Sequence, residues 1–272
     1  MRLLSFRVDG GPDRAGVLDG ELVRDSGLSM RELLAVLPAA PPMVTELRLA
    51  DVTPRPAVPD PGKIMCIGRN YREHAREQDV EAPAEPLVFA KYASALVTGG
   101  EPIVLSPLTQ RPDWEAELVV VIGRSGKAIV ERDAWQHVAG YTVMNDVSAR
   151  DLQRGDGQWT RAKSLDTFAP LSSELVTADE ITDPHHLAIR CWVNGQLMQD
   201  STTSLMIHRI PKLIAHLSAA FTLHTGDLIA TGTPAGVGAF RDPPVFLRPG
   251  DSVRCEVEGV AVLQNPVVAE RP

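Results

Sequence analysis

The sequence predicts a mixed, β-rich α+β protein in two unequal parts: a small N-terminal α+β domain over residues 1–58 and a larger domain over residues 59–272. Turn dipeptides such as Asn194-Gly195 separate short apolar runs, which is typical of β-hairpins. Few segments have a helical pattern, and those segments are short. Four prolines between positions 54 and 61 indicate an extended linker, so the domain boundary is placed there.

The N-terminal part begins with a small β unit. Its apolar runs at 3–8 and 15–18 are each followed by an Asp-Gly turn signal. Ser29 and Glu32 have the spacing of a capping box, and the apolar residues that follow predict a short amphipathic helix.

The main domain is predicted to alternate strands with short helices. Asn70 is the expected cap of a polar helix over 71–79, and Pro211 is expected in the first turn of a later helix. A further helix is expected at 134–138. The predicted strands cover residues 63–67, 86–91, 139–144, 187–193, 196–199, 227–231, 253–257 and 260–263.

Composition excludes several classes of protein. The net charge of -8 and pI near 5.4 argue against nucleic acid or an anionic membrane as the main partner, because either would favour a basic surface. Three widely spaced cysteines indicate neither a disulfide framework nor a zinc site. No apolar run is long enough for a membrane span or a signal peptide, so a cytoplasmic location is expected.

Two carboxylates open the most informative stretch. Glu115 and Glu117 stand two residues apart and are followed by five apolar residues, so on a strand both point to one face next to a buried run. Such a pair is costly unless it is protonated, matched by cations or bound to a metal, and all-oxygen ligands favour Mg²⁺. Asp146, at the end of the next predicted strand, is the third candidate ligand. The alternative is that the glutamates form surface ion pairs.

A second group contains candidate catalytic residues. His74 and Glu77 lie three apart on the predicted helix, where the carboxylate can orient the imidazole; an ordinary surface pair is the alternative. Lys163 could neutralise an oxyanion or form a plain salt bridge. It follows a hydrophilic loop at 151–160 whose glycines are typical of a mobile lid. The glycine-rich turn at 232–238 could hold an anion but lacks a phosphate-loop ending.

Six motifs in order resemble the fumarylacetoacetate hydrolase family over residues 60–268. They are Gly68-Arg-Asn-Tyr-x-x-His74, Glu115-x-Glu117, Asn145-Asp146-x-Ser-Ala-Arg-Asp151, Trp159-Thr-x-Ala-Lys163-Ser, Phe168-Ala-Pro170 and Thr231-Gly-Thr-Pro-x-Gly-Val-Gly238. The resemblance implies a catalytic domain of the family's β-roll or β-sandwich type. The branch it points to is that of bacterial acylpyruvases and 2-hydroxyhepta-2,4-diene-1,7-dioate isomerases.

The resemblance also implies roles for single residues. It implies Mg²⁺ or Mn²⁺, with Ca²⁺ as a substitute in crystals, a small 2-oxo or diketo acid as substrate, and a homodimer. Tyr92 stands where acylpyruvases often have proline, so the resemblance does not predict the shape of that wall of the pocket. The positions carried over are the metal ligands Glu115, Glu117 and Asp146, the catalytic residues His74, Glu77 and Lys163, and the substrate-binding candidates Arg150, Gln153, Thr233, Arg69 and Tyr71. Lys91, at the end of the predicted strand 86–91, is a further substrate-binding candidate from its position alone, with solvent exposure as the alternative.

The candidate metal ligands and catalytic residues together predict an enzyme whose metal acts as a Lewis acid on a 2-oxo acid. The first choice is hydrolysis of a C–C bond in acylpyruvate-type diketo acids, with His74 and Glu77 activating a water. The alternatives are oxaloacetate decarboxylation or tautomerisation and isomerisation of a 2-hydroxydienedioate. A non-catalytic relative should lack one of the key positions, and all are present.

Overall fold

The computed structural model describes residues 1–37 and 42–271. Within these ranges the chain forms twenty β-strands, five α-helices and several short 3₁₀ helices. The helices are α1 (Met30–Val36), α2 (Arg72–Glu77), α3 (Arg150–Asp156), α4 (Thr160–Lys163) and α5 (Ile210–Ala220). The strands are β1 (Arg2–Arg7), β2 (Arg14–Asp19), β3 (Leu22–Leu28), β4 (Thr45–Arg48), β5 (Thr53–Pro54), β6 (Ile64–Gly68), β7 (Leu87–Lys91), β8 (Leu96–Val97), β9 (Ile103–Leu105), β10 (Pro112–Asp113), β11 (Ala116–Ile122), β12 (Val138–Asn145), β13 (Ser148–Ala149), β14 (Ala169–Pro170), β15 (Glu174–Thr177), β16 (Ala188–Val193), β17 (Gln196–Thr202), β18 (Leu228–Ala230), β19 (Ser252–Val257) and β20 (Ala261–Ala269).

A large mixed sheet forms the centre of the fold. Its strand order is β4-β3-β2-β1-β15-β12-β11-β18-β6-β7, with β5 added beside β1. Strand β11 pairs antiparallel with both β12 and β18, while β18 runs parallel to β6. The strands that end in Asn145 and begin at Ala116 are therefore neighbours, which brings Glu115 and Asp146 to one edge.

The central strand β11 is buried on both faces. Leu118, Val120 and Ile122 pack in a core shared with the second sheet, whose order is β17-β16-β19-β20-β9. Val119 and Val121 pack in a second core on the opposite face, shared with helix α1. This alternation explains why the sequence of β11 is apolar without interruption.

Several local predictions are confirmed. Asn194 and Gly195 form the β16–β17 turn with φ of 52° and 78°, the backbone that favours these two residues. Ser29 and Glu32 form both hydrogen bonds of a capping box on α1. Pro211 lies in the first turn of α5. The predicted β-rich α+β class is confirmed. Across the described ranges, no helix is long and apolar enough to cross a membrane.

Three local predictions are wrong. Asn70 does not cap α2, whose N-cap is Tyr71 without a side-chain cap bond, because the Asn70 amide is engaged elsewhere. The helix expected at 134–138 is a 3₁₀ helix, Glu131–His137. The loop expected at 151–160 is largely helical: α3 ends where Gly157 takes φ of 69°, and α4 begins three residues later.

The N-terminal strands do not stand apart from the rest. Strand β1 pairs with β15 of the main domain, and the Ala57 N–H donates to the carbonyl of Ser172. The central sheet thus continues across position 58. The division into residues 1–58 and 59–272 stays a prediction.

Candidate active site and metal centre

The three predicted metal ligands lie together and are buried. Glu115 immediately precedes β11, Glu117 lies within it, and Asp146 follows β12. One carboxylate oxygen of each lies within 4.8 Å of the others. Since a hard divalent cation binds oxygens at about 2.0–2.6 Å, ligands on opposite sides of one ion are about 4–5 Å apart, and the three oxygens fit that spacing.

Two cations are paired with Glu115. Lys163 Nζ lies 2.6 Å from one carboxylate oxygen, and Arg150 Nη2 lies 2.6 Å from the other. Burial raises the pKa of Glu115, but Lys163 and Arg150 outweigh it and hold that pKa at about 2. Lys163 also donates to Asp146 at 2.8 Å. Burial lowers the pKa of Lys163, but the carboxylates of Asp146 and Glu115 outweigh burial and raise that pKa above its usual value, so the charged form of the amine is favoured.

Glu117 is the ligand whose charge is least compensated. Burial raises its pKa well above the usual range, and the neighbouring carboxylates of Asp146 and Glu115 raise it further. Its Oε2 accepts a hydrogen bond from the Gly232 N–H at 2.9 Å. A divalent cation among these oxygens would offset the repulsion, so the chemistry of the donor set, like its spacing, fits Mg²⁺ or Mn²⁺.

Lys91 faces neither solvent nor the cavity that the other candidates line. Its side chain is fully buried behind Asp146, with Nζ 2.6 Å from Oδ1 of that residue. It also donates to the carbonyls of Val147 and Lys163. These three acceptors occupy all three donors of the ammonium group. We therefore assign Lys91 to positioning Asp146 instead of contacting substrate.

The predicted dyad is present and largely enclosed. His74 Nδ1 lies 3.2 Å from Glu77 Oε2, and the imidazole is only 3% exposed. The other oxygen of Glu77 accepts from the Gly236 N–H at 2.6 Å. A carboxylate held in this way favours the tautomer with its proton on Nδ1, which leaves the Nε2 lone pair available as a base.

Gln78 is a site residue that the sequence analysis missed. Its amide nitrogen lies 2.9 Å from His74 Nε2, and its Oε1 accepts from Arg69 Nε at 3.0 Å. Gln78 therefore closes the basic side of the imidazole, and Arg69 orients Gln78. Its position four residues after His74 on a helix was the signal that could have revealed it.

The glycine-rich turn at 232–238 holds the protein's own carboxylates. Its backbone N–H groups donate to Glu117 from Gly232, to Glu77 from Gly236, and to Asp113 from Gly238, at 2.9, 2.6 and 2.7 Å. Gly232 and Gly236 adopt φ of 102° and 104°, which L side chains rarely do. The turn was expected to hold an anion, and the anions it holds are these carboxylates of the protein itself.

The substrate-binding candidates occupy different environments. Arg150 is buried, donates to Asp113 at 2.8 Å and to Gln153 at 3.1 Å, and lines the cavity. Asp113, two residues before Glu115, was not recognised from the sequence as the partner of Arg150. Thr233 Oγ1 donates to the Ala116 carbonyl and accepts from Gln199 Nε2 at 2.8 Å.

Tyr71 lies in the apolar core. It is fully buried in the core that the two sheets share and is not among the cavity-lining residues. Burial raises the pKa of its hydroxyl, and the charge of Glu117 raises it further. Tyr71 therefore packs at the N-terminus of α2, and its contact with substrate stays a prediction.

These groups surround a narrow inner cavity of about 10 Å³. Trp159 covers it, with its ring in edge contact with Phe89 at 5.3 Å and the Arg69 guanidinium 5.5 Å from its centre. A Cβ on Gly68 would lie 2.5 Å from the Trp159 ring, so glycine at this position permits the cover. Lining residues include His74, Glu115, Glu117, Arg150, Gln153, Lys163 and Thr233.

Known proteins resemble this chain in both sequence and structure. The pattern of the family described as fumarylacetoacetate (FAA) hydrolase C-terminal matches residues 63–268. The mitochondrial oxaloacetate tautomerase FAHD2B of Bos taurus is 52% identical over 221 residues, 80% of this chain and 70% of that protein. The fumarylacetoacetate hydrolase structure from Exiguobacterium antarcticum superposes with a TM-score of 0.89 at 36% identity, covering 99% of this chain and 100% of that one. A 2-hydroxyhepta-2,4-diene-1,7-dioate isomerase structure from Mycobacterium marinum gives 0.83 at 36% identity, covering both chains fully.

Proposed function

The chain belongs to the fumarylacetoacetate hydrolase family, and on that premise we propose that it is a divalent-metal-dependent tautomerase of oxaloacetate or a closely similar 2-oxo acid. The observation that carries the proposal is the placement of the His74–Glu77 dyad and the three carboxylates around one small cavity. The identity of about half of the aligned residues with a protein named as an oxaloacetate tautomerase supports this choice.

Tautomerisation of such an acid exchanges a proton between C3 and the oxygen on C2. A proton leaves one atom and a proton is added at the other, so no further reactant is required. A divalent cation held by Glu115, Glu117 and Asp146 would supply Lewis-acid polarisation of the 2-oxo group, which makes the C3 proton more acidic.

The chain's own residues supply the proton transfer. His74, with its Nδ1 proton directed to Glu77, presents Nε2 as the base that removes the C3 proton and returns it in the reverse direction. Gln78 holds Nε2 until substrate arrives. Lys163, a cation at the cavity wall, stabilises negative charge on the substrate oxygen, a contribution of about a few kcal/mol in comparable sites.

Gln78 must move for either reaction. Its amide nitrogen, 2.9 Å from His74 Nε2, occupies the basic side of the imidazole, which both the C3 proton and a nucleophilic water would have to reach. Proton transfer at carbon then needs only the base and the substrate, whereas hydrolysis needs a water molecule as well. Hydrolysis of an acylpyruvate, the first choice from the sequence, is the second candidate, because the same dyad could activate water. Decarboxylation and dienedioate isomerisation would use the same site for the 2-oxo acid group.

The assembly and location are also proposals. The expected homodimer and the cytoplasmic location stay predictions. The Bos taurus relative is named as a mitochondrial protein.

The proposal is tested by following loss of the enol absorbance of oxaloacetate with Mg²⁺ and with EDTA. We expect metal-dependent acceleration that falls by about a hundredfold or more in His74→Ala. His186→Ala, an exposed histidine that does not line the cavity, is the matched control and should retain the rate. An EDTA-insensitive rate, or an active His74→Ala, refutes the proposal. Metal-dependent release of pyruvate from acetylpyruvate, without oxaloacetate tautomerisation, would favour the hydrolase.

A further inference from the structure

The second sheet contains two cysteines that the proposed reaction does not use. Cys191 lies on β16 and Cys255 on β19, and because they stand 64 positions apart, their spacing in the sequence does not associate them. The antiparallel pairing of these strands places them directly opposite each other. Their Sγ atoms lie 3.8 Å apart, and both thiols are free and buried. The fold thus brings two nucleophilic sulfurs into contact.

The register of the two strands suits a covalent bond between these sulfurs. At one end of the ladder the Asn194 N–H donates to the Ser252 carbonyl at 2.9 Å. At the other end the Glu258 N–H donates to the Ala188 carbonyl, also at 2.9 Å. Hydrogen-bonded and non-hydrogen-bonded pairs alternate along an antiparallel ladder, and the two cysteines are three positions from either end.

The two cysteines therefore form a non-hydrogen-bonded pair, in which opposite Cα atoms are about 4.5 Å apart and the side chains are closest. Disulfides span Cα separations of about 4.4–6.8 Å. An S–S bond at this position needs rotation of the side chains and little movement of the backbone.

The surroundings of the pair make its oxidation slow and selective. Burial raises the pKa of the Cys191 thiol, and its hydrogen bond with Cys255 raises it further, so the reactive thiolate is scarce. An oxidant reaches the pair through local opening, which favours a small uncharged molecule. The edge strand β17 is the side for that opening, since its register with β16 shifts next to Cys191. Cys66 packs in the core on the opposite face of the central sheet, away from both.

We propose that Cys191 and Cys255 are an oxidisable dithiol, a modification site at which a peroxide produces a disulfide between β16 and β19 of the folded protein. One sulfur takes an oxygen atom from hydrogen peroxide, the O–O bond breaks and one water leaves, which gives a sulfenic acid. The second thiol attacks that sulfur, the S–S bond forms and a second water leaves. Two thiols and one peroxide thus give one disulfide and two waters. The product cross-links the second sheet, so the stability of the chain depends on its oxidation state.

The test exposes the folded protein, with Mg²⁺ present, to hydrogen peroxide until the exposed Met43 is converted to its sulfoxide. The peroxide is removed with catalase, and the chain is unfolded in urea with N-ethylmaleimide. We expect mass spectrometry to find one adduct in place of three, on Cys66, and a peptide pair that links Cys191 to Cys255. Dithiothreitol before alkylation should restore three adducts. Since the bond joins positions 64 apart, Tm should rise by about 5 °C.

Cys255→Ala and Cys191→Ala are the matched controls, because each keeps every methionine and one thiol of the pair. After the same treatment each should carry two adducts and show no rise in Tm. Three adducts in the treated wild type, or a disulfide that forms only when peroxide is added in urea, overturns the proposal. Oxygen added to one cysteine without a link to the other also overturns it. A wild-type Tm that falls below that of the treated variants contradicts the claim that the bond fits these strands.

Discussion

Asn70 connects three segments around the site, and its replacement gives the sharpest test of that architecture. Its Nδ2 donates to the carbonyls of His208 at 3.0 Å and Thr231 at 2.8 Å. Its Oδ1 accepts from the His208 N–H at 2.8 Å. Asn70 lies between the end of β6 and α2, and Thr231 precedes the glycine-rich turn that holds Glu117 and Glu77.

The expected cost of Asn70→Ala follows from these contacts. The side chain is fully buried, and each of its three hydrogen bonds contributes about 1 kcal/mol to stability. Truncation also leaves two carbonyls and one N–H without their partner. We expect the free energy of unfolding to fall by about 3 kcal/mol or slightly more. Because the glycine-rich turn loses an anchor, Mg²⁺ affinity should fall by about tenfold as well.

The assay combines urea unfolding with calorimetric Mg²⁺ titration of the folded protein. Asn265→Ala is the matched control, because Asn265 is also buried and donates to the carbonyls of Thr98 and Glu101 away from the cavity. It should lose about 2 kcal/mol and keep its Mg²⁺ affinity. A loss below about 1 kcal/mol in Asn70→Ala, or an equal change in Mg²⁺ affinity in both variants, would refute the reasoning.

Three further substitutions test the charge of Glu117, the surroundings of the His74–Glu77 dyad and the packing of Trp159 over the cavity. Glu117→Gln should weaken Mg²⁺ binding by about tenfold or more in calorimetry. Because burial raises the pKa of Glu117, the metal-free wild type should lose stability relative to this variant as pH rises above the usual carboxyl range; a gain relative to the variant contradicts the assignment. Gln78→Glu should move the acidic limb of the kcat/KM profile to higher pH, since a carboxylate at Nε2 stabilises the imidazolium; an unmoved limb shows that Gln78 does not reach His74 in solution. Gly68→Ala should displace Trp159, shift its fluorescence to longer wavelength and cost about 1–3 kcal/mol; unchanged emission would mean that the cover does not rest on Gly68.

The parts of the site that were predictable depend on short sequence distances. Glu115 and Glu117 share one stretch, and His74 and Glu77 share one helical turn, so spacing alone suggested both pairs. Asp146 followed from the end of the next strand. Their common cavity depends on the pairing of β11 with β12 and β18, which spacing within one segment does not specify.

The residues that were missed or misplaced have distant partners. Asn70 has a local use as a helix cap, and the sequence favoured it; its actual partners lie 138 and 161 residues away. Lys91 lies 55 residues from Asp146, so nothing local distinguishes a buried ammonium from one that faces substrate. The helix α3 was missed because a hydrophilic stretch with two glycines resembles a loop unless its C-terminal glycine is recognised as a helix end.

The site consists of a buried part around the three carboxylates and a cover that is partly exposed. The metal ligands lie beside two central strands and are held by the buried side chains of Lys91 and Lys163 and by the backbone of the glycine-rich turn. The same turn also holds Glu77 of the dyad and Asp113, which is the partner of Arg150. One backbone segment therefore positions both the dyad and Arg150 relative to the metal centre. By contrast, Gln78 and Trp159 lie at the ends of the short helices α2 and α4, which cover the cavity, and both are partly exposed. A change of reaction or substrate can therefore occur in the cover without disturbing the charges beneath it. The cover is accordingly where the residues that set this chain's reaction and substrate should be sought.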